Sequence, residues 1–186
     1  MKKFTLLTVS FLACVAFSSS CTHETVVNKT QAVDSLQTVL NNAEKLFKEI
    51  NITEIETITQ TITSDIDSAY NLAEKKKVTL SEEEGTFFGR YQALKSGLKK
   101  FGTRYNDIKE EIAYSKTQLN NLKADIEADK FDEEAKKKYI TDEGVALKNL
   151  VTAIEQIQGA CVTVSGQFKS FHPQYLERLQ MLGRKK

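Results

Sequence analysis

Between Phe87 and Ile126 apolar side chains recur in alternating steps of four and three: Phe87, Tyr91, Leu94, Leu98, Phe101, Tyr105, Ile108, Ile112, Ser115, Leu119, Leu122 and Ile126. Eleven of these twelve positions are apolar or aromatic, and only Ser115 is not. A repeat of 3.5 residues held over that length marks a helix with one narrow stripe turned toward other helices. The stripe cannot stand bare in water, so the pattern predicts partner helices elsewhere in the chain.

The partners are visible on both sides. Upstream, about 31–76, Val33, Leu36, Leu40, Ala43, Phe47 and Ile50 keep a heptad. Ile55, Ile58, Ile62, Ile66, Ala69 and Ala73 then continue it with more four-residue steps, nearer an eleven-residue repeat. The register slips at Asn51. Either the helix runs on with a local change of twist or it breaks there, and the absence of Gly and Pro favours continuity. Ser81 with Glu84 has capping-box spacing and opens the second helix, about 82–129. Asp132, followed by Glu133 and Glu134, opens a third, about 132–172. Its stripe is Leu147, Leu150, Ile154, Ile157, Cys161, Val164, Phe168, Phe171 and Tyr175. Pro173 is expected to kink or end it, with a short C-terminal helix over about 174–182 and a frayed tail at 184–186. The fold class is therefore all-α: an elongated antiparallel three-helix bundle, roughly 65–70 Å long.

Composition agrees. One proline, no tryptophan and eight glycines in 186 residues suit helices better than a turn-rich β fold. Charged residues make up 27% with a formal net charge of +1, so no basic footprint for nucleic acid stands out.

The first twenty residues depart from this pattern. Lys2 and Lys3 precede an apolar run from Phe4 to Phe17, too short to span a bilayer comfortably. Ser18, Ser19, Ser20 and Cys21 follow. Ser19-Ser20-Cys21 resembles the lipobox that ends the signal of bacterial lipoprotein precursors, with Ser18 where the family usually carries Leu or another aliphatic residue. Ser18 and Ser20 also fit an ordinary small-x-small cleavage site. The resemblance implies removal of 1–20, diacylglycerol on the Cys21 sulfur, a fatty acid such as palmitate on the new amino terminus, and a place in the bacterial cell envelope. Residues 21–30 would be a lipidated tether and 31–183 a single bundle domain. The acidic run that some surface-exported lipoproteins carry after the cysteine is missing, which favours a periplasm-facing outer-membrane location over the cell surface. With Lys2 and Lys3 gone, 24 basic residues face 25 acidic ones. Cys14 would leave with the signal and Cys21 would be acylated, so Cys161 has no intramolecular disulfide partner.

Antiparallel pairing brings Phe87 and Tyr91 level with Phe168, Phe171 and Tyr175, so the membrane-distal end gathers aromatics. Phe87, Phe88, Tyr91, Phe168, Phe171, His172 and Tyr175 form the candidate partner or ligand surface. Gly85, Gly89, Gly97 and Gly102 lie on the same helix, where each costs about 1 kcal/mol. Close helix approach or room for a ligand could offset that. The plain reading of these aromatics is a core layer of large residues accommodated by small ones. His23 and His172 fall at opposite ends, so no metal site is expected. Nor does the sequence hold a phosphate-binding loop, a dinucleotide-binding glycine pattern or a Ser/His/Asp arrangement. The expectation is a non-catalytic, cofactor-free interaction or spacer module with an envelope protein as partner, anchored through Cys21 and open to self-association. The alternative is a module that binds a small apolar ligand between its helices at the aromatic end.

Overall fold

The computed structural model describes residues 26–184, with side chains from residue 29 on. The signal segment 1–20 and the positions of Cys14, Cys21 and His23 lie outside the described residues. Five helices follow one another: α1 (Val26–Lys48), α2 (Ile52–Lys76), α3 (Glu82–Leu98), α4 (Phe101–Glu127) and α5 (Glu133–Arg184). They lie along three long antiparallel rods: α1 with α2, α3 with α4, and α5 alone. No strand occurs among the described residues. The stripe from Phe87 to Ile126 is the core of the second rod. Eleven of its twelve positions are buried, Ser115 among them, and Tyr105 is half-buried.

The reversals are locally encoded. α2 ends with Lys77 in the left-handed region at φ 51°, its N–H on the Glu74 carbonyl and the Val78 N–H on the Ala73 carbonyl, a Schellman motif. α4 ends the same way through Asp129, also at φ 51°, with Lys130 N–H reaching Asp125 O. Both expected N-caps are formed. The Glu84 N–H donates to Ser81 Oγ at 3.3 Å while the Ser81 N–H donates to Glu84 Oε2 at 2.8 Å. The Ala135 N–H donates to Asp132 Oδ1 at 2.8 Å. At this end two buried lysines are neutralised. Lys136 donates to Asp129 and Glu133, and Glu133 also pairs with Lys29. The Lys136 ammonium holds the Asp129 carboxyl below the usual range.

Four expectations are corrected. The first rod is not continuous, because it breaks over residues 49–51. Ile50 and Ile55 are both buried, yet five residues rotate an α-helix by about 500°, which leaves the two side chains about 140° apart. Breaking the helix re-phases it so that both reach the core. Asn51 caps the new start by accepting the Glu54 N–H at 3.0 Å, and Ile50 and Ile55 occupy the two positions of a hydrophobic staple. Secondly, the second rod has a two-residue interruption at Lys99 and Lys100, where the backbone stays in the right-handed helical region. Gly97 and Gly102 flank it, both exposed with nothing where a Cβ would lie. The same openness at Gly85 and Gly89 means that none of the four serves close helix packing. Thirdly, α5 does not stop at Pro173 and there is no separate C-terminal helix. Pro173 is exposed, so the carbonyl it leaves without a donor faces water, and Gln174 Nε2 donates to Ser170 O at 2.9 Å in the same turn. Finally, helix begins at Val26, inside the stretch read as tether.

The helices pack in two sets. α1, α4 and the first half of α5 form one three-helix layer, and α2, α3 and the second half of α5 form another. Asn51→Ala is expected to lower unfolding free energy by about 1 kcal/mol through the lost cap. Gly97→Ala with Gly102→Ala should raise it by about 1 kcal/mol per site. Urea denaturation of the full chain checks both signs.

Candidate functional site

The aromatic residues converge at the end of the bundle opposite the turn at 128–132. Tyr91 and Tyr175 stack with ring centroids 4.2 Å apart, and Phe88 meets Tyr175 edge-on at 5.1 Å. Phe87 lies 6.0 Å from Phe171, and Phe168 stacks on His172 at 4.7 Å. All seven residues singled out from the sequence therefore share one layer. They are not equally accessible. Phe87, Tyr91 and Tyr175 are buried, whereas Phe88, Phe168, Phe171 and His172 are half-buried and form its rim. The layer is filled by its own rings.

Its polar centre is Asp65 on α2, which the sequence reading did not single out. The Tyr91 hydroxyl donates to Asp65 Oδ2 at 2.6 Å, and the Tyr175 hydroxyl donates to the Asp65 carbonyl at 2.7 Å. His172 Nδ1 lies 2.9 Å from the Tyr91 oxygen and 3.0 Å from Asp65 Oδ2. The single Tyr91 proton is committed to the carboxylate, so Nδ1 faces two acceptors. The network therefore assigns the hydrogen to Nδ1. Asp65 was legible only as an acid between Ile62 and Ile66, beside the stripe and not on it. Its level on the bundle, opposite Tyr91 and His172, was the available signal.

Desolvation is the main cause that pushes both phenols well above their ordinary range, with the Asp65 carboxylate adding to it in each case. Arg178 covers the outer edge. Its guanidinium sits 4.4 Å from the Phe87 ring centroid and pairs with Glu83 at 3.1 Å. Beside it lies a shallow, open depression of about 470 Å³ lined by Glu82, Glu83, Thr86, Phe87, Arg90 and Arg178.

Elsewhere, Cys161 is a half-buried free thiol on α5, and burial pushes it up to about 11. Among the described residues no group of three His, Cys, Asp or Glu side chains could hold a metal ion. No described helix is long and apolar enough to cross a membrane. Chemically, the arrangement can fix three helices in register through one carboxylate and offer a partly aromatic rim. No protein-family model matches the chain, and no curated protein or solved structure matches it either.

The raised phenols set the sign of an alkaline dependence. A group whose ionisation is raised in the fold contributes stability that is whole below its ordinary value, here 10.0, and is lost as pH rises beyond it. The melting temperature of the wild-type chain should fall above that pH, with Tyr91 and Tyr175 ionising as the fold is lost. Tyr91→Phe with Tyr175→Phe should flatten this fall. At neutral pH the same pair should cost about 1–3 kcal/mol, because Asp65 loses buried donors. Thermal melts across the alkaline range read both effects.

Proposed function

We propose that the chain is a lipid-anchored, non-catalytic helical module of the bacterial cell envelope that holds or spaces a protein partner at its membrane-distal end. The observation that carries this reading is apolar surface at the end far from the start of α1. Tyr70, Leu176 and Met181 are exposed there, at 65%, 40% and 51%, around the half-buried rim of Phe88, Phe171 and His172. α1 starts only a few residues after Cys21, beside the turn at 128–132. The stretch of α5 from Glu133 to the rim at His172 spans about 60 Å. Acylation at Cys21 would set that distance as a standoff from the bilayer, with the outer membrane's periplasmic face as its seat. Contact through the rim is preferred to an apolar ligand between the helices, because the rings pack against one another.

Two measurements test the reading. Cys21→Ser should abolish incorporation of a palmitate analogue and release the chain from the membrane fraction. Retention of the label would remove the anchor from the proposal. A photo-crosslinking residue at position 176 or 181 in intact cells should trap one envelope protein, while position 145, exposed in the other half, should trap little. A pattern reversed between the two ends would remove the distal surface. An adduct of twice the chain's mass would replace the envelope partner with self-association.

A further inference from the structure

The interruptions in the first and second rods lie at the same height. Phe47 and Tyr105 stack at 4.5 Å, which sets those residues level. The break at 49–51 is then within roughly one helical turn of the break at 99–100. On α5, Gly144 lies beside Leu36 and His172 beside Asp65, so the same level falls near Ile157 and Gly159. There α5 is unbroken, but Gly159 is exposed with open space around it and is followed by Ala160 and Cys161.

The contacts divide at this level too. The interhelical polar contacts below it join α1, α4 and α5: Lys29 with Glu133, Asp34 with Lys123, Gln37 with Asn120, and Glu44 with Lys116. Those above it join α2, α3 and α5: Glu54 with Lys169, the Asp65 cluster, and Glu83 with Arg178. None of these ties α1 or α4 to α2 or α3. At the level itself the buried side chains are Phe47, Ile50, Leu98, Phe101 and Ile157, all apolar. Apolar contact is non-directional, so small rotations cost it little, whereas hydrogen bonds within each half resist them.

We infer that the bundle is hinged at this level: the half built on α2 and α3 swings as a head on the half built on α1 and α4, with α5 as the flexible spine. The breaks at 49–51 and 99–100 absorb the change in backbone angles. The hinge would let a distal surface reorient while the proximal half stays fixed, and it holds whether or not Cys21 carries lipid.

The test uses the full chain with nitroxides attached through p-acetylphenylalanine, which leaves the cysteines untouched, and pulsed dipolar distance measurements. The pair 45 and 70 spans the hinge. The pairs 109 with 137 and 70 with 96 each stay within one half. The expected result is a distribution for 45–70 at least twice as wide as either control, narrowed toward them by Gly97→Ala with Gly102→Ala, which raise helix propensity on both sides of the α3–α4 interruption. A 45–70 distribution as narrow as the controls overturns the hinge. So does equal breadth in all three pairs, or a breadth that the alanine pair leaves unchanged.

Discussion

Ile50 and Ile55 both have to reach the core, and one α-helix cannot deliver both. That mismatch of phase divides the molecule. It forces the end of α1, gives Asn51 its place as a cap, and turns the first rod into two helices that face different neighbours. Once the first rod is broken, the three-helix bundle packs as two stacked layers that share one continuous hydrophobic core, each with its own interhelical polar contacts. Only α5 belongs to both. Its 52 uninterrupted residues make the two layers one molecule, and the stack of Phe47 on Tyr105 ties α1 to α4 just below the level where the layers meet.

The distal layer needs more than apolar contact because α3 is a poor helix on its own. Gly85, Gly89 and Gly97 are exposed, make no close approach, and cost about 1 kcal/mol each. Tyr91 meets that deficit. Burying its ring contributes about 1.5–3 kcal/mol, and its hydrogen bond to a carboxylate about 1.5–3 more. The bond also has direction. Apolar rings alone would let α3 slide along α2 and α5, while one carboxylate reached by Tyr91 and His172 sets a single register, with Tyr175 on the Asp65 carbonyl. The cluster that gives the rim its shape is thus the cluster that keeps α3 in place.

How much of this was legible follows from the range of each signal. The stripe from Phe87 to Ile126 was legible in full because burial periodicity is local and repeated, and the caps at Ser81 and Asp132 because their partners lie three residues away. The assembly of Phe87, Tyr91, Phe168, Phe171 and Tyr175 followed from counting along antiparallel helices. The break at Asn51 is marked by Asn-x-x-Glu between Ile50 and Ile55, without the Gly or Pro that usually signals one, because a phase conflict needs neither. Asp65 escaped because it sits off the stripe, and its value depends on three residues on other helices. The glycines of α3 suggested close packing, yet their surroundings are set by the third dimension and are empty.

Pro173 shows how the two-layer arrangement decides a local conflict. Ending α5 there would leave a nine-residue helix over 174–182, too short to stand alone in water. It would also uncouple Tyr175 and Leu182, both fully buried, from the spine that positions them. Each of those side chains contributes about 1.5–3 kcal/mol by burial. Running a helix through proline costs about 3 kcal/mol when the freed carbonyl is buried and less when it faces water. Pro173 faces water, so continuity wins. The same proline at position 175 would meet the Asp65 cluster and lose. The helix thus tolerates its proline because the layer formed with α2 and α3 grips α5 on the opposite side, and that grip is what extends the spine to Arg184.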